Sequence, residues 1–259
     1  MIVKRIKVKS ALSKSGLREL DYSLNPYLGC IHACSYCYAP NFTPDSDAST
    51  NWGKVVVVKE NLVEVLKREV HMLKRGVVGV STITDPYQPI EALERLTRRS
   101  VELLLQNGFR VSIQTKSPLV LRDIDVLQKY KNKVDVGITV TTLYKDIEPN
   151  APPPKARINA LKKLSENGIE TWLFLGPIIR GVNDSEVKDI IEEISGISTR
   201  VVYDHFNYYK GLKFREGSKE WWEGIKQMIN KLCRENGLEC HEESEDWIFE
   251  KRKQYKPLF

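Results

Sequence analysis

The sequence predicts an α/β fold and, within that class, a partial barrel of six parallel strands, (β/α)6. Three observations lead to this prediction. Apolar, β-branched runs alternate with segments of helical period between residues 77 and 235. Each run ends in polar, Gly or Pro residues, and parallel strands need right-handed helical crossovers between them. Because periodicity does not show whether such a sheet curves, a doubly wound open sheet is the alternative.

The elements are predicted in chain order from the same signals. A short first barrel strand at 22–24 comes directly before a cysteine-rich loop, and an extended segment lies at 54–59. The other barrel strands are predicted at 77–84, 110–115, 134–141, 170–175 and 200–204. Helices are predicted at 61–73, with Asn61 as the N-cap, and at 91–107, 120–130, 154–166, 183–194 and 219–235.

Length and composition favour one cytoplasmic domain. The chain has 259 residues, of which 41% are hydrophobic and 29% charged, and this excludes the disordered class. We expect one domain over 1–259, with a basic N-terminal arm (1–20), a barrel core (21–206) and a C-terminal cap (207–259). No apolar run reaches spanning length and no signal peptide is present, so we expect no membrane association. The net charge of +6 either permits an anionic partner or reflects a solvated surface.

Three cysteines in one loop are the strongest functional signal. Cys30, Cys34 and Cys37 form a Cys-x3-Cys-x2-Cys group. A cubane cluster has four irons, so three thiolates leave one iron open to a small molecule. The alternative is a structural zinc site with His32 as the fourth ligand. The remaining cysteines, Cys233 and Cys240, are interpreted as buried or incidental thiols.

The cysteine loop resembles that of the radical S-adenosylmethionine (radical SAM) enzymes, whose cofactor needs an acceptor, a cation and hydroxyl donors. Ligands of parallel β/α folds collect at the carboxyl ends of strands. We therefore expect cofactor-binding residues just past the predicted strands or early in the following helix: Thr84, Asp85, Lys116, Ser117, Thr139, Thr141 and Arg157. Asp85 would accept from the ammonium of SAM, or it merely starts a turn. Lys116 could instead be a solvated charge, and Thr139 and Thr141 could be ordinary strand residues. Arg157 is either a bidentate clamp or a surface charge.

Together these motifs resemble those of the spore photoproduct lyase-like family. The similarity lies in the segments 25–39, 84–91, 115–117, 148–157 and 176–184. It implies a [4Fe-4S] cluster on the three cysteines, with SAM chelating the fourth iron. It also implies that Lys116, Thr139 and Thr141 hold the carboxylate, with Tyr36 near the adenosine. A low-potential electron donor of the ferredoxin or flavodoxin type would then allow cleavage of SAM to a 5′-deoxyadenosyl radical, which abstracts hydrogen from a substrate.

One departure from the family concerns the return of a hydrogen atom to the product. The dimer-splitting lyases carry a cysteine on the second strand, and the stretch 80–84 holds none here. Splitting of a thymine dimer by that route is therefore not expected. Tyr38 matches a tyrosine of the family's hydrogen-atom relay and is the predicted catalytic residue, with packing as its alternative role. Cys233 or Cys240 could replace the missing thiol only if the C-terminal segment folds over the barrel mouth.

The C-terminal segment interleaves aromatic and basic residues, which suits a nucleic-acid partner. The alternative is a cap whose aromatic residues close the barrel. Nucleic acid is thus the leading substrate class, and a peptide or small metabolite is an alternative. A non-catalytic zinc or iron-sulfur protein that binds RNA or DNA is the second hypothesis. The residues concerned are Phe206, Tyr208, Tyr209, Trp221, Trp222, Trp247, Phe249, Tyr255 and Phe259, with Lys210, Lys213, Arg215, Lys251, Arg252 and Lys253.

Overall fold

The fold is taken from a computed structural model, which describes residues 1–144, 146–197 and 199–243. Its strands are β1 (Ile2–Ile6), β2 (Leu12–Lys14), β3 (Tyr22–Leu24), β4 (Tyr27–Leu28), β5 (Val55–Lys59), β6 (Val77–Val80), β7 (Arg110–Thr115), β8 (Val134–Thr139), β9 (Glu170–Ile178), β10 (Arg200–His205) and β11 (Glu239–Glu242). Its helices are α1 (Ser46–Thr50), α2 (Leu62–Met72), α3 (Glu91–Glu94), α4 (Leu96–Gln106), α5 (Ile124–Lys129), α6 (Pro154–Glu166), α7 (Val187–Glu193) and α8 (Lys219–Glu235). Short 3₁₀ turns cover Ala39–Phe42, Pro118–Asp123 and Asp184–Glu186.

The main sheet confirms the predicted six parallel strands. Its order is β11-β10-β9-β8-β7-β6-β3-β2, and the run from β3 to β10 is parallel throughout. The sheet gains one strand at each edge: β2 is antiparallel to β3, and β11 is parallel to β10. In the part of the chain that the structure describes, the two edge strands do not pair, so the sheet is a partial barrel.

The two faces of the sheet differ in chemistry because side chains alternate along each strand. In β7, Val111 and Ile113 are fully buried in the core that the helices share. Ser112 and Gln114 face the other way and line the barrel interior. Helices therefore cover the outer face while the concave face encloses a cavity, and this excludes the doubly wound alternative.

The first twenty residues are more than a basic arm. Strand β1 pairs in parallel with β5, and together with β4 they form a separate three-stranded sheet. The Asn61 side chain accepts from Val8 N at 2.8 Å and donates to Val8 O at 2.9 Å. No side-chain cap bond from Asn61 to α2 is present in these residues. The predicted N-cap therefore serves instead to attach the N-terminal segment to α2.

The predicted helix 91–107 is interrupted at Arg95, where the backbone φ is +51°. The cause lies in the buried Glu91 carboxylate, which accepts from Thr97 N at 3.0 Å and from Arg98 N at 3.2 Å. These backbone N–H groups belong to the first turn of α4, where helix N–H groups lack internal partners. Glu91 thus caps a new helix, and the chain must turn at Arg95 to allow it.

The prediction for Cys233 and Cys240 was wrong, because the two residues form a disulfide. Cys233 is the last buried residue of α8, and Cys240 lies in β11. The turn between these elements brings the two Cα atoms to within 6.2 Å of each other, a distance that a disulfide can span. On the same face of α8, the buried Trp222 packs against Tyr203 of β10, within the core between the helices and the sheet. Trp247, Phe249, Tyr255, Phe259, Lys251, Arg252 and Lys253 lie outside the described residues.

None of the helices in the described ranges has both the length and the apolar character needed to cross a lipid bilayer.

Candidate active site

The cysteine loop follows β3 and β4 and lies close against β5. Gly29 makes this approach possible: its φ is +80°, and an added Cβ would stand 2.4 Å from Val55 O. Only glycine tolerates both the left-handed backbone and such a contact. The next residue, Cys30, is buried, while Cys34 and Cys37 are partly buried, and all three are free thiols.

Residues of the 84–91 motif hold the cysteine loop in place. Thr84 Oγ1 donates to Gly29 O at 2.6 Å, and Gln88 Nε2 donates to the same oxygen at 3.1 Å. The Gln88 side-chain oxygen also accepts from Ile31 N at 3.1 Å. This part of the motif therefore acts on the loop backbone, and Thr84 has a structural contact in addition to its place on the cavity wall.

The segment after β8 supports the loop from the other side. Ser35 N donates to Ile147 O at 2.9 Å, and Asn150 N donates to His32 O at 3.3 Å. The Asn150 side chain also donates to Ile31 O at 3.1 Å. The loop is thereby fixed between two motifs that are more than fifty residues apart in the chain.

A buried ion pair lies directly behind the loop. Arg157 and Glu148 are fully buried, and Arg157 Nη1 stands 2.6 Å from Glu148 Oε2. Tyr36 donates to Glu148, and its hydroxyl also lies 2.9 Å from Thr141 Oγ1. Burial alone would raise the pKa of Glu148, but Lys116, Arg157 and Tyr36 together lower it. The network therefore contains a carboxylate.

Lys116 brings a positive charge to this network. Its Nζ lies 3.8 Å from Glu148 Oε1 and 5.5 Å from the centre of the Tyr36 ring. Burial alone would lower the pKa of Lys116, but the Cys34 thiol and Glu148 raise it. Lys116 also lines the cavity next to the cysteines. It can therefore present its ammonium to an anionic group bound there.

Asp85 is engaged by the protein itself. Its carboxylate accepts from Tyr87 N at 2.9 Å, Thr115 Oγ1 at 2.7 Å and Lys116 N at 2.8 Å. His32 Nδ1 lies 3.4 Å from the same carboxylate. Burial alone would raise the pKa of Asp85, but His32 and these donors lower it to about 2. Since an ionised carboxyl group has about four acceptor positions, we reassign Asp85 from the SAM ammonium to positioning the Lys116 loop.

An outer cavity of about 570 Å³ opens at the carboxyl ends of the strands. It brings together most of the predicted site: Cys30, Cys34, Cys37, Tyr36, Tyr38, Thr84, Asp85, Lys116 and Thr139. Thr139 Oγ1 accepts from Gln114 Nε2 at 3.3 Å, which orients the hydroxyl on the cavity wall.

Three predicted cofactor-binding residues lie behind the cavity wall. Ser117 is buried and its Oγ accepts from Leu119 N at 3.3 Å, so it caps the 3₁₀ turn that follows β7. Thr141 Oγ1 donates to Gly176 O at 2.7 Å. Arg157 is neither a clamp on a ligand nor a surface charge, because it is fully buried and its Nε donates to Pro152 O at 2.7 Å. These three residues support the wall, and we do not assign them direct contacts with SAM.

The three thiols have the number and the surroundings expected of the ligands of an iron-sulfur cluster. Burial raises the pKa of each, to about 12 for Cys34, so a cationic group must compensate the thiolates. His32 Nδ1 lies 3.4 Å from the Asp85 carboxylate, so this imidazole is held by Asp85. Three ligands beside an open cavity match a cluster with one coordination position left for a small molecule.

A narrower inner cavity of about 190 Å³ continues into the barrel. Tyr38 lines both cavities, and its hydroxyl donates to Thr82 O at 2.7 Å. Its ring lies 5.8 Å from Phe42 and 5.5 Å from Tyr209, measured between centroids. We call Tyr38, Phe42 and Tyr209 the aromatic triad.

The cavity-wall residues that sequence reasoning missed include the polar residues Ser81, Gln114, Asp204 and Glu243. The rule that ligands collect past strand ends could have found Ser81 and Asp204, which end or follow β6 and β10. Glu243 carries no such signal, because β11 was not predicted.

Comparison with known proteins identifies the superfamily of this chain. Residues 24–194 match the radical SAM superfamily. The chain is 37% identical over 215 residues to an uncharacterized protein of Methanocaldococcus jannaschii, which covers 82% of this chain and 80% of that protein. It is 21% identical over 220 residues to the radical SAM Nalpha-GlyT isomerase of Pseudomonas phage M6, with 83% of this chain and 43% of that protein covered.

Two solved structures share the fold at 12% sequence identity. Spore photoproduct lyase with bound AdoMet and dinucleoside spore photoproduct gives a TM-score of 0.72 over 93% of this chain and 80% of the lyase. SuiB of Streptococcus suis bound to S-adenosylmethionine gives a TM-score of 0.59 over 88% of this chain and 51% of SuiB. The match over the cysteine loop and the barrel shows that this chain belongs to the radical SAM superfamily and has the fold of spore photoproduct lyase.

Proposed function

We propose that the chain is a radical SAM enzyme that abstracts a hydrogen atom from a nucleic acid or nucleotide. The observation that carries the proposal is the placement of three free cysteines and Lys116 on the wall of one 570 Å³ cavity. A [4Fe-4S] cluster with SAM bound supplies, on reduction, a 5′-deoxyadenosyl radical.

The residues on the wall of this cavity would have separate roles in binding the cluster and SAM. Cys30, Cys34 and Cys37 would hold the cluster, and the backbone contacts from Gln88 and Asn150 would keep the loop rigid. Lys116 and Thr139 would bind the carboxylate of SAM, with Tyr36 beside them on the same wall. A rigid, enclosed site excludes water and stray hydrogen donors from the reaction.

Tyr38 is the proposed hydrogen-atom relay. It lines both cavities, so it stands between the cysteine loop and the barrel interior. Ser81 and Thr82 occupy the stretch in which the dimer-splitting lyases carry a cysteine. The disulfide-bonded Cys233 and Cys240 line neither described cavity, so they do not supply the missing thiol.

Three observations support a nucleic-acid or nucleotide substrate. The aromatic triad is accessible at the cavity, with Tyr38 42% and Phe42 53% exposed. Lys210, Lys213 and Arg215 are exposed on the segment that carries Tyr209. Bases stack on aromatic rings and phosphates pair with such cations. The lyase that shares the fold was solved with a dinucleoside spore photoproduct.

The chemistry is tested with anaerobically purified protein. We expect a brown protein with about four irons per chain, which releases 5′-deoxyadenosine from SAM when it is reduced with dithionite or with a ferredoxin or flavodoxin. Cys34→Ala should abolish both properties, whereas the matched control Cys233→Ala should keep the iron. A colourless protein with one zinc per chain and no cleavage of SAM would refute the proposal.

The substrate class is tested separately by binding. The affinity for single-stranded DNA and RNA should fall steeply with salt, and replacing Lys210, Lys213 and Arg215 by Gln should reduce the log–log slope by about 2. Deuterium transfer from labelled oligonucleotides into 5′-deoxyadenosine would identify the reacting nucleotide. Transfer from a peptide or metabolite with none from nucleic acid would show that the substrate class is wrong.

A further inference from the structure

Two carboxyl groups meet on the wall of the outer cavity. Asp204, near the end of β10, and Glu243, just after β11, are hydrogen-bonded to each other through their side chains. Two carboxyl groups can share a hydrogen bond only if one proton lies between them. Burial and the neighbouring carboxyl group raise the pKa of Glu243, although one side of this residue is open to solvent.

The two carboxyl groups differ in their remaining contacts. Asp204 Oδ1 accepts from His205 N at 2.8 Å and lies 3.0 Å from His205 Nδ1, and Asp204 Oδ2 accepts weakly from Asn207 Nδ2 at 3.4 Å. Asp204 is therefore held in place. Asp204 lines the outer cavity alone, whereas Glu243 lines both cavities and is the member of the pair that has fewer contacts with the protein.

Ser81 is a second and independent sign of a ligand. It is only 8% exposed, it lines both cavities, and its hydroxyl has no hydrogen-bond partner among the described residues. Its φ is +67°, which is unfavourable for a residue with a Cβ. Strained, unpaired polar residues in a cavity are typical of binding sites rather than of packing.

The aromatic triad lines the same outer cavity and supplies a flat apolar surface. Tyr38 belongs to this triad and also reaches the inner cavity, which Ser81 and Glu243 share with it. The wall thus combines a ring-stacking surface with a carboxyl pair and a hydroxyl, and its hydrogen-bond acceptors outnumber its donors. This combination is suited to a planar ring whose edge carries N–H groups.

We propose that Ser81, Asp204 and Glu243 form a substrate-recognition subsite for a nucleobase with two adjacent N–H donors, as guanine has. Glu243 and Ser81 contact the base edge, and Asp204 is a positioning residue that orients Glu243. The Glu243 carboxyl group accepts from the imino and amino groups while the shared proton stays within the carboxyl pair, and the Ser81 hydroxyl donates to a ring carbonyl. The inference rests on the proposed function, because it places the base in the cavity that holds the cysteines.

The test is binding of nucleosides to the cluster-loaded, SAM-bound and unreduced enzyme, measured anaerobically by equilibrium dialysis. Guanosine should bind about tenfold to a hundredfold more tightly than inosine, which lacks only the amino group. Glu243→Gln should weaken the binding of guanosine by a similar factor and should reduce the enzyme's preference for guanosine over inosine. The matched control Glu235→Gln, on the exposed side of α8, should bind guanosine as the unaltered enzyme does.

Ser81→Gly separates recognition from folding. Glycine relieves the strained backbone and removes the hydroxyl, so the variant should melt no lower than the unaltered protein and should bind guanosine about twofold to tenfold more weakly. Asp204→Asn is a second variant of the carboxyl pair, for use if Glu243→Gln is unstable. It should also weaken the binding of guanosine.

Three outcomes would overturn the subsite. They are equal binding of guanosine and inosine, unchanged binding in Glu243→Gln, and tighter binding of an alkylguanidinium than of guanosine, which would indicate a site for an aliphatic cation. None of these measurements needs radical chemistry. A failure here is therefore distinguishable from a failure to cleave SAM, which would refute the proposed function itself.

Discussion

Replacing Arg157 with methionine would leave the buried Glu148 carboxylate without the nearer of its two cations. Arg157 Nη1 lies 2.6 Å from Glu148 Oε2, whereas Lys116 Nζ lies 3.8 Å from Glu148 Oε1. Methionine retains much of the side-chain volume in the core. The substitution therefore tests the polar contacts of Arg157, of which the charge pair with Glu148 is the strongest, rather than the packing.

The expected cost is large because both groups are fully buried. Breaking a buried pair by removing one partner costs about 3–5 kcal/mol, since the remaining charge is uncompensated. Lys116 retains part of the compensation, so we expect about 3 kcal/mol, at the lower end of that range. By contrast, the exposed pair of Lys162 and Glu166, with a 4.0 Å separation, should contribute less than about 1 kcal/mol.

The assay is urea unfolding under anaerobic conditions at matched iron content, followed by tryptophan fluorescence and circular dichroism. Arg157→Met should lower the free energy of unfolding by about 3 kcal/mol with an unchanged m-value. Lys162→Met serves as the control. The double variant Glu148→Gln/Arg157→Met should recover at least half of the loss, because it removes the stranded charge.

The reasoning would be refuted if Arg157→Met cost no more than Lys162→Met. It would also be refuted if the double variant were less stable than Arg157→Met, because the Glu148 charge would then not be the source of the loss.

Three further predictions follow from the same structure. The low pKa of Asp85, about 2, lies below the ordinary value of about 3.9, so its contribution of about 2.5 kcal/mol is present above pH 4 and is lost as the pH falls through 2. Acid unfolding curves should therefore lose this component in Asp85→Asn. Replacing both Cys233 and Cys240 with serine should lower the free energy of unfolding by about 2.5 kcal/mol, the value expected for opening a loop of this length, and should remove the effect of reductant on melting. Gly29→Ala would force a Cβ to within 2.4 Å of Val55 O, so the purified variant should retain less than half the iron of the unaltered protein.

Each of these predictions has a contradicting result. An Asp85→Asn variant with the same acid unfolding profile would mean that His32 and the donors around Asp85 do not stabilise its charge. Melting that is insensitive to reductant in the unaltered protein would mean that the disulfide is absent or without effect. Full iron content in Gly29→Ala would show that the cysteine loop can move away from β5.

The barrel could be predicted because each of its strands carries a strong local signal. The bounds of β7, β8 and β10 were predicted to within two residues, because each strand carries apolar residues at the alternate positions that face the helices. The predicted strand at 77–84 ended at Val80, because Ser81 turns the chain into the left-handed region. Local periodicity contains no information about that turn.

The sequence predicted which residues belong to the site better than it predicted the role of each residue. The cysteines, Lys116 and Thr139 do line one cavity, as residues past parallel strands should. Asp85 and Arg157, however, have buried partners, and the sequence could not show that His32 and Glu148 would be those partners. Motif residues that hold a loop and motif residues that touch a cofactor have the same pattern along the chain.

The most direct test of the central claim is pulsed electron paramagnetic resonance spectroscopy of the reduced protein with bound SAM. The SAM carries ¹⁷O in its carboxylate and ¹⁵N in its amine. If Cys30, Cys34 and Cys37 hold a four-iron cluster that faces the outer cavity, both labels should show hyperfine coupling to it. In Cys233→Ala the coupling should persist. A reduced cluster with no coupling to either label, or a protein that holds zinc in place of iron, would contradict the account.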